Sequence, residues 1–305
     1  MRPLKSLTFE SVVEVLRSRF NGVGAGGDPH RAQYPVRDIL LSGFAMFFFQ
    51  DPSLLQFQER LVKKKGRCNL QTMFGVSAVP GETQMRERLD EVEAEEVRVL
   101  LPHFFELIRR AGWASHYRSP ISSGRDTGEY YVAALDGTDY FHSTAINCPQ
   151  CLTRADANGE PHYRHTVVAA TIVTAGSHRI LPFDAEMCQS ADGSEKQDCE
   201  LQASKRLLKR IRREHRQVPL IVTGDDLYSH VPFIEECAQQ RLHYVLVAKP
   251  TSHKELWEWV EELAALGESE RVEWRVGPAC SRKFYEARIV RAVPLRADAA
   301  VEANF

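Results

Sequence analysis

The chain has 305 residues, a net charge of −2, 43% hydrophobic and 26% charged side chains. That composition excludes a disordered chain and leaves room for one large domain or two ordinary ones. A charge so near zero means that any nucleic-acid surface must be a local basic patch. The first residues lack the apolar stretch and small-residue cleavage site of a secretory signal. The longest apolar run, Ile39 to Phe49, is too short to span a bilayer and is broken by Ser42 and Gly43. Seven cysteines, an odd number, suit free thiols or metal ligands in a reducing cytosol better than a disulfide framework.

Residues 1–115 read as helical. Phe9, Val12, Val13, Leu16 and Phe20 share one 3.6-residue face, with Thr8 placed to cap it. A Gly-rich loop spans Asn21 to Pro29, and further helices are expected over 36–50, 53–65 and 83–110. Residues 116–128 are polar and read as a linker. From Glu129 the pattern turns to strands at 130–142, 163–174 and 179–186. A helix at 196–215, a strand at 218–224, a helix at 231–240, a strand at 242–248 and a helix at 252–265 follow. Arg271–Val276 and Lys283–Val293 read as further strands, a partial β-rich insertion. Three consecutive strands and then alternating helix and strand describe an α/β layer with a mixed sheet.

Two of these strands are interrupted by acid. Tyr130 to His142 carries Asp136, and Leu220 to Tyr228 carries Asp225 and Asp226. A carboxylate in such surroundings is tolerated when paired, hydrogen-bonded or bound to metal, so two of them point to a shared divalent-cation site. The plainer reading is that Asp136 opens a turn with Gly137 while Asp225 caps the helix that follows.

The segments Leu135-Asp-Gly-Thr138, Gly224-Asp-Asp-Leu-Tyr-Ser-His230 and Val245-Leu-Val-Ala-Lys-Pro250 resemble the DDE transposases of bacterial insertion sequences. Pro80-Gly-Glu-Thr-Gln-Met-Arg-Glu-Arg-Leu-Asp90 is similar to the helical segment that precedes their catalytic domain. The resemblance implies a ribonuclease-H-like mixed sheet with flanking helices, preceded by an all-helical region with a DNA-binding role. In that fold the first Asp lies in mid-strand and the second at the carboxyl end of the parallel fourth strand. Asp136 and Asp225 are then the implied ligands of Mg²⁺ or Mn²⁺, with Asp226 as the alternative. The implied activity is metal-dependent cleavage and joining of double-stranded DNA at element ends and target. The implied setting is the bacterial cytoplasm, at the nucleoid, with a homodimer as one assembly. The family's third ligand is a Glu on a helix beyond the insertion, and no matching segment follows Lys249. Glu261 and Glu262 lie on the helix after the fifth strand, whereas Glu273, Glu286 and Glu302 fall in or beside strands. The expectation is a C-terminally truncated transposase that cleaves DNA poorly or not at all. A non-catalytic DNA-binding or dimerising remnant is the alternative, and a stand-alone nuclease of the same fold a third.

Two further groups carry chemistry. Cys148-x₂-Cys151 follows the first strand, His162 and His165 open the second, and Cys188 and Cys199 flank the way into the helix. A zinc held by Cys148, Cys151, His165 and Cys199 is one reading, and buried small thiols are the other. The helix from Lys205 to Arg216 is strongly basic. Lys205, Arg206, Lys209 and Arg213 on it are candidates for phosphate contacts, set against a solvated helix face. Lys63-Lys-Lys-Gly-Arg67 is a second basic cluster, and Lys249, at the end of the fifth strand, is a candidate for a contact on the same sheet edge as Asp225.

Overall fold

The structure is a computed structural model that describes residues 7–24, 34–63, 69–123, 126–190, 199–278, 281–295 and 302–305. Most of the Gly-rich loop and of the Lys63–Arg67 cluster lies outside the described residues. The chain divides into two compact units, Met1–His116 and Tyr117–Phe305. Among the described residues no helix is long and apolar enough to cross a membrane.

The first unit is helical: α1 (Phe9–Phe20), α2 (Val36–Phe48), α3 (Leu54–Val62), a π-helical turn at Leu70–Phe74, α4 (Glu82–Asp90), α5 (Ala94–Arg98) and α6 (Leu100–Arg110). Thr8 caps α1 as expected. Its side chain accepts from the Ser11 amide, and the Ser11 hydroxyl oxygen accepts from the Thr8 amide. The single helix expected over 83–110 is three, because Glu93 has extended backbone and restarts the chain after Asp90. Val13, Leu16, Leu41, Phe57 and Phe74 form the core, with Phe9, Phe44, Phe48 and Phe49 around the Phe74 ring.

The second unit is a mixed α/β layer. Its strands are β1 (Arg118–Ser123), β2 (Asp126–Ser143), β3 (Leu152–Ala155), β4 (Pro161–Val173), β5 (Leu181–Met187), β6 (Leu220–Gly224) and β7 (His243–Leu246). The sheet runs β5, β4, β2, β6, β7. Strand β4 runs antiparallel to both of its neighbours, β5 and β2, and β2, β6 and β7 are parallel. The long β2 and β4 also carry the short strands β1 and β3. Residues 116–128, expected as a linker, therefore hold the end of a 3-10 turn, all of β1 and the start of β2.

Three helices, α7 (Glu200–Glu214), α8 (Val231–Gln239) and α9 (Lys254–Ala265), connect or follow the strands. Helix α7 packs on β4 and β5 through Ala203, Leu207, Leu208 and Ile211, all buried. The remainder is β-rich as expected: a hairpin of β8 (Ser269–Val276) and β9 (Lys283–Val290), and a short pair of β10 (Val293–Pro294) and β11 (Glu302–Ala303). Leu256, Val260, Val290 and Val293 join this part to α9.

Candidate functional site

The sheet register brings the two predicted acids together. Parallel pairing of β2 with β6 matches Ala134 to Thr223. Carried on two residues, it sets Asp136 level with Asp225, just past the carboxyl end of β6. Leu135 is buried and Asp136 exposed, as strand alternation requires. Asp225 also accepts a 3.0 Å hydrogen bond from the Leu227 amide and so caps the 3-10 turn Asp226–Tyr228.

A third acid, which sequence reasoning missed, arrives from a different element. Glu200 opens α7, and its carboxylate lies flat against Gly137. A Cβ on that glycine would fall 2.0 Å from Glu200 Oε2 and 2.2 Å from Cδ. A side chain at this position would therefore push the Glu200 carboxylate aside. Burial raises the Glu200 carboxyl above its ordinary range, and the charges of Asp139, Asp136 and Asp225 push it further, with Arg164 opposing. Asp139 takes a short hydrogen bond from the Thr166 hydroxyl and lies 3.6 Å from Arg164, beside an irregularity in the β2–β4 register.

Tyr228 closes this edge. Its side chain is fully buried, its ring occupies the space that a side chain on Gly224 would need, and its hydroxyl has no hydrogen-bond partner. Burial holds the phenol proton far above its ordinary range, and Glu200, Asp225 and Asp136 add to the effect. The hydroxyl is thus a protonated donor among carboxylates. The acids share an edge without touching: no three of their oxygens all lie within 4.8 Å of one another among the described residues.

Asp226, the alternative ligand, is engaged elsewhere. It accepts from the Lys249 amide at 2.6 Å and from the Ser252 hydroxyl, and lies 3.3 Å from His253. Burial pushes its carboxyl up, but these hydrogen bonds and the charges of His253 and Lys249 outweigh burial and hold it below the usual range. Asp226 thus ties the end of β7 to the turn after β6. Lys249 is exposed beside that tie.

The basic residues of α7 are largely occupied. Arg206 pairs with Glu186 at 2.8 Å, Lys209 with Glu236 at 3.3 Å, and Arg213 with its neighbour Glu214 at 3.8 Å. Arg210 bridges the buried Asp184 and Glu186 of β5, and Arg212 donates to the carbonyls of Gln240, Arg216, Val218 and Arg241. A row of phosphate contacts through Arg206 and Lys209 would first have to break these pairs. Lys205 is half-buried on the same helix.

Of the four residues expected around zinc, three meet. Cys148, Cys151 and His165 have donor atoms within 4.8 Å of one another, and among the described residues they are the one set of three or more metal-ligating side chains that does. Cys199 is not part of that set; it occupies the N-cap position of α7.

No protein-family model matches the chain, and no curated protein matches it. Among solved structures it is similar to a piggyBac transposase in a synaptic complex with hairpin DNA, at a TM-score of 0.32 and 11% identity. The match covers 90% of this chain and 57% of that one, so the chain spans a little over half the length of that protein.

Proposed function

We propose that the second unit is a divalent-cation-dependent phosphodiester-cleaving domain of the transposase kind, with Asp136, Asp225 and Glu200 as its metal-binding carboxylates. The supporting observation is the repulsion at one sheet edge. Glu200 is pressed against Gly137 and its carboxyl is raised by burial and by three neighbouring acids, of which Arg164 answers only in part. A cation bound among these carboxylates would relieve that repulsion.

Mg²⁺ or Mn²⁺ bound there would polarise the scissile phosphate and ready a water or 3′-hydroxyl for attack. The chain's own groups do the rest. Asp136 and Asp225 fix the site on two hydrogen-bonded strands, and Gly137 leaves room for the Glu200 carboxylate. The exposed Lys249 offers a charge to a DNA phosphate. That the DNA is a mobile-element end rests on the sequence motifs around Asp136 and Asp225, not on the geometry.

The test is cleavage of supercoiled plasmid and of duplexes bearing the element's ends, with Mg²⁺ or Mn²⁺, by the wild type and by Asp136→Asn, Asp225→Asn and Glu200→Gln. Each substitution is expected to slow cleavage at least roughly tenfold, the loss that even outer-shell changes produce at metal sites. Wild-type protein that cleaves nothing with either metal contradicts the catalytic reading, as does cleavage that survives chelation or all three substitutions. Equal rates on unrelated duplexes would favour a general nuclease over a transposase.

A further inference from the structure

We propose that Cys148, Cys151 and His165 form a zinc site of their own, separate from the carboxylates. His165 Nε2 lies 3.3 Å from each sulfur, and the two sulfurs are 3.7 Å apart. Zinc bond lengths of about 2.3 Å to sulfur and about 2.0–2.1 Å to nitrogen, set at tetrahedral angles, require separations of roughly 3.7 Å between sulfurs and roughly 3.5 Å from sulfur to nitrogen. The three donors already stand at nearly those spacings. The same sulfur separation is far longer than a disulfide bond, and both thiols are free.

Backbone pairing, rather than side-chain accident, holds this arrangement. Antiparallel pairing of β3 with β4 matches Leu152 to Arg164, so the residue before β3, Cys151, stands opposite His165. The Cys148–Cys151 turn is closed by a 3.1 Å bond from the Cys151 amide to the Cys148 carbonyl. The Cys148 amide in turn donates to Cys151 Sγ at 3.3 Å, which ties the two ends of the turn together. On the other side, the Tyr140 ring stacks on His165 at 5.7 Å and Phe141 lies 5.5 Å away, which fixes the plane of the imidazole. Bound zinc would staple the β2–β3 loop to β4 one residue from Thr166, the partner of Asp139.

The full chain, purified without chelator, is expected to carry about one zinc by metal analysis. Cys151→Ser and His165→Ala should each abolish that zinc, while Cys199→Ser and Cys237→Ser keep it. Because a variant could lose metal by misfolding, the wild type stripped of metal provides the second readout. It should take up one equivalent of Co²⁺ with a thiolate-to-cobalt charge-transfer band that zinc then displaces. Wild-type protein with less than about a tenth of a zinc and no cobalt band overturns the proposal, and so does zinc that survives His165→Ala. Loss of zinc in Cys199→Ser overturns the three-donor assignment. None of these readouts depends on DNA cleavage, so failure here is distinct from failure of the carboxylate site.

Discussion

Helix α7 meets acids at both ends of its course, and the two meetings differ in kind. Along its body Arg206 and Arg210 neutralise Asp184 and Glu186, which are only 2% and 8% exposed on β5. At its start Glu200 adds a third carboxylate to Asp136 and Asp225, with Asp139 alongside. The first group follows the ordinary rule that buried charge is paired. The second differs: Asp136 and Asp225 are exposed and Glu200 is half-buried, and the charge of Arg164 only partly offsets their crowding. Pairing marks the acids that the fold uses, and repulsion marks the acids that have something else to hold.

The sharpest way to break this contrast is Arg210→Met. It takes the arginine from the buried Asp184 and leaves Glu186 with Arg206, and is expected to cost about 3–5 kcal/mol, read from denaturant unfolding. Adding Asp184→Asn and Glu186→Gln should restore much of the loss; if it does not, the pairing account of β5 is wrong. Next in size is Gly137→Ala, whose new methyl overlaps the Glu200 carboxylate. A loss of about 1 kcal/mol is expected, at the low end for overpacking because the group displaced is the tip of a flexible side chain. Combining it with Glu200→Ala should recover stability, and simple additivity of the two changes would contradict the close approach.

The smallest effect concerns an exposed counterpart in the first unit. Glu106 is held down to about 2, chiefly by its hydrogen bond from Arg109, with Arg110 assisting against burial. A depressed carboxyl contributes stability that is present above its ordinary value of 4.5 and is lost as pH falls through about 2. Because Arg109 and Arg110 are 41% and 69% exposed, screening leaves at most about 1 kcal/mol. Glu106→Gln should remove that part of the acid sensitivity, seen as a smaller drop in unfolding midpoint between pH 6 and pH 2.5.

Much of the second unit was legible in the sequence because its strands are apolar and its helices amphipathic. The order of strands and helices from 130 to 265 and the alignment of Asp136 with Asp225 followed from that pattern together with the resemblance. Strand β1 was hidden because Ser119, Ser122 and Ser123 carry no alternating pattern, and it is held by backbone pairing with β2. Glu200 was hidden for another reason. A glutamate in the first turn of a helix is common on helix-dipole grounds alone, and nothing local ties it to a strand 64 positions earlier. For the arginines of α7, Asp184 and Glu186, two residues apart on one strand, were the sign of partners within the fold. The cysteine and histidine spacing brought Cys148, Cys151 and His165 together, and Cys199 lies outside that group.

The central claim, that the unpaired acids are a cation site, is tested most directly by melting the wild type and Glu200→Gln in chelator and in Mg²⁺. A carboxyl raised in the folded state costs stability when ionised, so at neutral pH the variant should melt higher than the wild type in chelator. Mg²⁺ should then stabilise the wild type, by about 2.7 kcal/mol at a hundredfold excess over its dissociation constant, and the variant much less. A variant that melts lower in chelator, or that gains as much from Mg²⁺ as the wild type, would contradict the account.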